Sequence, residues 1–527
     1  MTDRSFMWSN VMSMAAEVDV LIVGAGPTGL AHALWLTHQG VKVRIIDKSA
    51  GPGETSRAMA VQARTLELYR QLDLADAVVA AGHPNPVMNL WANGKRRARL
   101  SMGDAGATVT PYPYILTYPQ DEHEQLLINR LDQLGVGVER ETEFISFEER
   151  ADHVRSLLRK PDGTETTCLS TFLSGCDGAK SPLRHQIGAG FEGGTYKQIF
   201  YVADVRLDGL DPVDEAHIAL DSSDFVAVLS YGESGMSRLI GVVGDGELEH
   251  ITFEDVSHHA IDRLGVRVQQ VNWFSTYRVH HRVTDTFRKG RVFLAGDAAH
   301  VHSPAGGQGM NTGIADAINL AWKLASVIRG NAPDSLLDSY DQERRAFAKK
   351  LVETTDRLFT FITSENNFAD FVRTRIAPIL AGAAYRVDGV REMVFRMISQ
   401  TTLNYHGSAL SAGRAGKVEG GDRLPWVNID GQDNFHTLAQ AVWQIHVYGS
   451  LRDELKVWAR QRGLQLHVFK WTSAHGHAGL AQNAAYLLRP DTYVGLAEPD
   501  ASTQVLESYL AERGITLRSQ MDLPAGT

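Results

Sequence analysis

Hydrophobic positions along the chain follow three rhythms. Val18 to Val23 (VDVLIV) is a short apolar run rich in β-branched residues, the pattern of a buried strand. It breaks at Gly24-Ala25-Gly26-Pro27-Thr28-Gly29. A helical pattern follows over Leu30 to His38, and a second apolar strand, Val41 to Ile46, ends at Asp47. Strand, glycine turn, helix, strand is a βαβ unit. Ala60 to Ala75 predicts one helix, with Leu66, Leu68, Leu72 and Leu74 as its apolar positions, and Glu122 to Leu134 predicts another. Phe172 to Gly175 ends a strand that runs into Asp177-Gly178. From about residue 190 to 285 the rhythm becomes alternating, as in Phe225 to Tyr231 and Arg238 to Val243, which predicts an antiparallel sheet with one face buried. Arg291 to Ala295 returns to the buried-strand pattern and leads into Gly296-Asp297. Ile314, Ile318, Ala321, Leu324 and Ile328 then recur at helical spacing.

Helical segments continue to about Gln400. Gly407 to Gly421, rich in Gly, Ser and Ala, is expected to be a linker. Beyond it, Trp443 to Tyr448 reads as a strand, Leu451 to Arg462 as a helix and Leu464 to Trp471 as a strand. Ala485 to Leu488 and Tyr493 to Leu496 are placed in a hairpin, and Thr503 to Ala511 in a closing helix. That is a small third α/β domain.

A chain of 527 residues is too long for one ordinary core. With 43% hydrophobic and 22% charged residues it is globular in composition. The formal net charge of −10 argues against a nucleic-acid partner, which requires a basic surface. Two cysteines, Cys168 and Cys176, exclude a disulfide framework and disfavour a cysteine-based zinc site. The balance suits a cytoplasmic protein. No run approaches the ~20 apolar residues that span a bilayer. Met1 to Ala16 lacks the basic start and apolar stretch of a signal peptide and is expected to be a floppy extension.

The first glycine cluster has the chemistry of a dinucleotide fingerprint. Gly24 permits the tight turn, Gly26 lets the backbone approach a pyrophosphate, and Gly29 lets helix and strand pack closely. The following helix N-terminus offers free N–H groups and partial positive charge to phosphates. Asp47, at the end of the next strand, suits a ribose hydroxyl. Far downstream, Gly296-Asp297 leads into Ala298-Ala299-His300-Val301-His302-Ser303-Pro304-Ala305-Gly306-Gly307-Gln308-Gly309-Met310-Asn311. So little side chain lets a backbone press against a flat ring system. A second, distant contact of this kind fits a long FAD molecule better than a nicotinamide dinucleotide.

Three motifs in order now carry a resemblance: Gly24 to Gly29; Cys176-Asp177-Gly178-Ala179-Lys180-Ser181-Pro182-Leu183-Arg184; and Gly290 to His300. The chain resembles the FAD-dependent aromatic hydroxylases, single-component flavoprotein monooxygenases of the para-hydroxybenzoate hydroxylase type, over about residues 18 to 350. Its C-terminal part is similar to the thioredoxin-like tail of the phenol and polyketide hydroxylase branch, through Leu488-Arg489-Pro490-Asp491. The resemblance implies an α/β fold: an FAD-binding doubly wound, Rossmann-like domain (17–190 and 286–400), an inserted antiparallel-sheet substrate domain (191–285) and a thioredoxin-like α/β domain (422–527).

Carried over by motif, Gly24, Gly26, Pro27, Thr28 and Gly29 cradle the pyrophosphate, Asp47 the adenosine ribose, and Lys48 the adenine edge. Arg57 resembles the family arginine near the FAD phosphate and ribityl chain, and Gln120 the glutamine of the same region. Asp297 binds the ribityl or pyrophosphate side. Gly309, Met310 and Asn311 offer backbone groups to the pyrimidine end of the flavin, where a helix N-terminus stabilises negative charge. Asp177 and Arg184 serve folding around FAD and productive NAD(P)H binding. Arg57 and Pro304 are the expected catalytic positions, Pro304 framing the side where oxygen reacts. Lys180 and Pro182 depart from many relatives, which leaves NADPH against NADH open. Thr492 replaces the commoner glycine after Arg489-Pro490-Asp491, so the tail need not touch substrate.

The resemblance implies hydroxylation of a phenolic or polyketide-type ring. NAD(P)H reduces FAD, O2 adds at flavin C4a, and the distal OH passes to an electron-rich carbon. The partners are then a small aromatic substrate and no metal; a homodimer is compatible. Two rival readings stand beside it, an FAD reductase or oxidase and a non-catalytic protein that binds flavin or an aromatic compound. Among the remaining residues, Cys176 reads as a small residue filling a strand end. His300 and His302 read as histidines that order loop carbonyls, with proton transfer as the sharper alternative.

Overall fold

In the computed structural model, residues 17–53, 58–210, 215–220, 225–232, 235–244, 251–256, 258–303, 307–363 and 388–517 are described. The expectation for residues 1–16, and the positions of Arg57 and Pro304, lie outside them.

The first sheet is built on Val18–Val23. This strand pairs in parallel with Val43–Ile46 on one side and Glu165–Gly175 on the other, and the latter pairs in parallel with Val292–Leu294. Val20, Leu21 and Ile22 are fully buried. A parallel strand covered on both faces reads as a continuous apolar run rather than an alternation. The helices Pro27–His38 and Gly309–Ile328 pack in the same core, through Leu30 and Leu34 from one and Ile314, Ile318 and Leu324 from the other.

The single helix expected over 60–75 is broken up. Ala60–Val61 is a strand paired with Thr117 and Leu116. Ala63–Tyr69 is α-helical, a short 3₁₀ turn, Arg70–Leu72, ends at Asp73 with φ of 54°, and a separate helix, Ala75–Ala81, begins after it. Local leucine spacing favoured one helix; a cross-strand partner more than fifty residues away overrides it at the first two positions.

The second sheet has eight strands, in the order His300–Val301, Arg267–Thr284, Phe191–Asp208, Met236–Gly244, Phe225–Ser230, Ala216–Leu220, Val87–Ala92 and Lys95–Ser101. Its last two strands come from outside 191–285, and Val87–Ala92 pairs in parallel with Ala216–Leu220. One face buries Tyr201, Ala203, Val205, Val226, Val228 and Leu239 beneath Phe253, Ala260 and Ile261. At the other edge, Val301 and His300 pair with Arg282 and Val283, which fastens this sheet to the loop after Gly296-Asp297.

The C-terminal sheet has six strands. Gln444–Tyr448, helix Asp453–Gln461 and Gln465–Phe469 form a parallel βαβ unit; Ala485–Leu488 and Val494–Glu498 follow as an antiparallel pair, and helix Thr503–Glu512 closes the fold. This is the thioredoxin-like arrangement. The expected linker at 407–421 is instead part of it: Ala412–Ala415 pairs in parallel with Val494–Glu498, and Val418–Glu419 pairs back on it. Small residues there signal close backbone packing, since a Cβ on Gly413 would lie 2.3 Å from the carbonyl oxygen of Ala497. Among the described residues, no helix is long and apolar enough to cross a membrane.

Candidate active site

The glycine loop shows what each glycine does. Gly24 has φ of +102°, and a Cβ there would lie 2.2 Å from the carbonyl oxygen of Cys176. A Cβ on Gly29 would lie 1.9 Å from the carbonyl oxygen of Gly24. These two make the turn and the strand–helix contact. Gly26 differs: a Cβ built on it meets nothing within 4 Å. Its backbone therefore borders open space at the N-terminus of helix Pro27–His38, whose first N–H groups have no intrahelical partners. Asp47 fixes the rim of that space. One carboxylate oxygen accepts from the Ala25 amide at 2.7 Å and the other from the Ser49 amide at 2.7 Å. Lys48 is exposed beside it.

The first and third sequence motifs meet at Thr28, where the helix after the third also arrives. Cβ atoms added to Gly296 and Gly313 would lie 2.5 and 2.3 Å from its Oγ1. Gly296 has φ of +61°, a conformation that an L side chain rarely adopts. The Gly296-Asp297 turn and the start of helix Gly309–Ile328 thus close around the first glycine loop, and Asp297 is exposed at their edge. Gly309, Met310 and Asn311 form the opening turn of that helix, with Gln308 as an N-cap that makes no side-chain cap. The Asn311 side chain has a structural task the sequence did not reveal. Its Oδ1 accepts from the Gln62 amide at 2.9 Å and Thr65 Oγ1 at 2.8 Å, and its Nδ2 donates to the carbonyls of Ala60 and Gly307 at 2.8 and 3.0 Å.

The second motif is packed beneath the loop. Asp177 Oδ2 accepts from the Leu183 amide at 3.2 Å, whereas Oδ1 is buried without a hydrogen-bond partner. Burial pushes the Asp177 carboxyl above the usual range. Arg184 is buried; it donates to the carbonyls of Ala298 at 2.9 Å and Ala179 at 2.8 Å and stacks on Phe191. It ties the second motif to the third. The Gln120 side chain donates to Glu124 at 2.8 Å, and its backbone amide donates to the Ala58 carbonyl at 3.2 Å. Glu124, which the sequence reading passed over, also accepts from the Gly53 amide at 3.3 Å. Its four-residue spacing from Gln120 on one helix is the signal that could have found it.

Burial pushes the Cys176 thiol up, so it holds no reactive thiolate. His302 does order a loop carbonyl, bonding Ser303 O at 2.8 Å, and burial lowers it to about 4. His300 does not. It lies 2.7 Å from Asp316 Oδ2, whose other oxygen takes Arg344 at 2.5 Å, and the Gly296 amide also binds Asp316 at 3.0 Å. Among the described residues no group of three His, Cys, Asp or Glu side chains could hold a metal ion.

FAD fits this geometry on the chain's own terms. The open side of Gly26 and the donors of two helix N-termini suit a long ligand with anionic groups. Comparison with known proteins agrees. A family profile described as FAD binding domain matches residues 17–355. The 6-methylpretetramide 4-monooxygenase of Streptomyces rimosus is 37% identical over 407 residues, covering 76% of this chain and 72% of that protein. A flavin-dependent monooxygenase of Mycobacteroides abscessus is 31% identical over 508 residues, covering 93% and 99%. Among solved structures, OxyS anhydrotetracycline hydroxylase from Streptomyces rimosus superposes with a TM-score of 0.76 at 28% identity, covering 95% of this chain and 99% of that one.

Proposed function

Because the chain belongs to the FAD-binding-domain family of flavin-dependent aromatic monooxygenases, we propose that it takes electrons from NADPH or NADH and an oxygen atom from O2 to hydroxylate a phenolic or polyketide-type ring. The observation that carries this reading is the closure of Gly296 and Gly313 around Thr28, with open space left at Gly26. Bound FAD supplies the redox chemistry and the activation of oxygen. The chain's residues bind, orient and shield. The backbone at Gly26 and the amides of helix Pro27–His38 hold the pyrophosphate. Asp47 takes the ribose, and Asp297 the ribityl or pyrophosphate side. The opening turn Gly309–Asn311 stabilises negative charge at the pyrimidine end. Asp177 and Arg184 act on nicotinamide binding through the loop they brace. We further propose the catalytic roles that the resemblance implies for Arg57 and Pro304, a cytoplasmic location, and a homodimer as a compatible assembly.

The test is a panel of phenols and quinones, followed by NADPH and NADH oxidation and by mass spectrometry. Oxidation stimulated by one compound together with a product heavier by one oxygen supports the hydroxylase. Nucleotide oxidation yielding only hydrogen peroxide for every compound favours the oxidase reading, and no oxidation at all favours a binding protein.

A further inference from the structure

The connection Arg489-Pro490-Asp491-Thr492 lies between strands Ala485–Leu488 and Val494–Glu498. Its polar residues do not face water: Arg489, Asp491 and Thr492 are 1%, 2% and 3% exposed. Each is engaged across the junction between the C-terminal domain and the rest of the molecule. Arg489 makes a two-pronged contact with Glu343, at 2.7 and 3.0 Å, and another with Asp491, at 2.9 and 2.6 Å. Asp491 Oδ2 also accepts from Trp322 Nε1 at 3.0 Å and Asn319 Nδ2 at 3.3 Å. Arg64 donates through Nη2 to the Asp491 carbonyl at 3.0 Å and to Thr492 Oγ1 at 2.7 Å. Gln71 donates to the Pro490 carbonyl at 2.7 Å.

This one turn therefore grips three helices: Asp338–Thr363 through Glu343, and two that lead to the candidate site. Asn319 and Trp322 belong to Gly309–Ile328, and Arg64 to Ala63–Tyr69. Their near ends border the candidate site. Asn311 opens the long helix, about 12 Å along its axis from Asn319, and Thr65 of the short helix bonds Asn311 directly. Buried ion pairs are poor stabilisers relative to apolar packing, because both partners lose their hydration. What they impose is geometry, since a guanidinium–carboxylate fork is satisfied in one orientation only. Thr492 points the same way. It holds φ of 69°, which β-branched residues avoid, and its hydroxyl completes the contact with Arg64.

We propose that the Arg489–Thr492 turn is a positioning element for the flavin, through which the C-terminal domain sets the spacing of helices 63–69 and 309–328 and hence the shape of the cradle between them. The proposal rests on the FAD reading above. Its test compares Thr492→Val, Thr492→Ser and Asp491→Asn with Leu506→Ala, which weakens the fully buried core of the same domain without removing any bond of the turn. FAD affinity is read by titrating flavin-stripped full-length protein, the flavin environment by visible circular dichroism, and stability by melting. Thr492→Val and Asp491→Asn are expected to weaken FAD binding at least fivefold and to change the visible spectrum. Thr492→Ser restores both, and Leu506→Ala lowers the melting temperature without moving either. If Asp491→Asn does not fold, the two Thr492 variants carry the comparison. Wild-type affinity and spectrum in Thr492→Val and Asp491→Asn, or equal shifts in Leu506→Ala at matched melting temperature, would overturn the proposal. Wild-type protein that takes up no FAD would overturn the FAD reading itself, and the proposal with it.

Discussion

At the scale of single residues, the glycines of the first loop separate folding from binding. Gly24 and Gly29 are pinned by backbone oxygens at 2.2 and 1.9 Å from any added Cβ, so substitution there damages the fold. Gly26 has ordinary backbone angles and nothing within 4 Å, so a larger side chain meets only the open space proposed for the pyrophosphate. Gly26→Val is therefore expected to keep the flavin-free melting temperature within about a degree of wild type while abolishing flavin retention. Gly24→Val is expected to be insoluble or strongly destabilised, by several kcal/mol, because it combines overpacking with a positive φ. Flavin content by absorbance and calorimetry of the stripped protein check both. A yellow Gly26→Val protein would contradict the placement of the pyrophosphate.

At the scale of elements, the start of helix Gly309–Ile328 is held by a side chain, not by a cap. Asn311 satisfies the Gln62 amide, the Thr65 hydroxyl and two carbonyls at once. Removing it strands buried polar groups, each costing about 1–3 kcal/mol. Asn311→Ala is expected to lower stability by about 2 kcal/mol or more and to weaken FAD binding, since the turn proposed to face the flavin loses its anchor. Asn311→Asp keeps the acceptor but turns a buried carboxylate oxygen onto the two carbonyls, so it should destabilise at least as much as Asn311→Ala. Chemical denaturation and flavin titration measure the series, and an Asn311→Ala protein as stable as wild type would show that the amide bonds are dispensable.

The whole molecule should be sensitive to mild acid. His32 and His123 lie in the core and burial lowers both to about 4. His32 bridges Ala317 O at 3.0 Å and Ser174 Oγ at 3.1 Å, joining two helices' worth of packing to the central sheet; His123 meets the Tyr69 hydroxyl at 2.9 Å. The unfolded chain takes up these protons near pH 6.5, the fold only near pH 4, so the unfolded state binds more protons between those values. Stability is then full above pH 6.5 and falls as pH drops towards 4, by on the order of 3 kcal/mol per histidine. Denaturant unfolding at pH 7.5 and 5 reads this directly, and equal stabilities at the two values would show that neither histidine is buried as a neutral ring.

Residue patterns local in the chain were legible before any fold. The βαβ unit, the alternating strands of the second sheet, the hairpin 485–498 and the helix after Gly309 each follow from periodicity and glycine placement, because their hydrogen bonds or buried faces repeat within a few residues. The three motifs could be ranked as chemistry for the same reason. What crosses the chain was not legible. Ala60–Val61 became a strand because Leu116 and Thr117 were available to pair with it, and 412–415 became part of a sheet, not a linker, because Val494–Glu498 offered an edge. The meeting of Gly296 and Gly313 at Thr28, the grip of Asn311 on Gln62 and Thr65, and the hold of Arg489 and Asp491 on two helices all join residues tens to hundreds of positions apart. Sequence fixes which groups can bond; only the packing of sheets against helices decides which of them are brought within 3 Å and deprived of water, and that choice made a signature of glycines into a site.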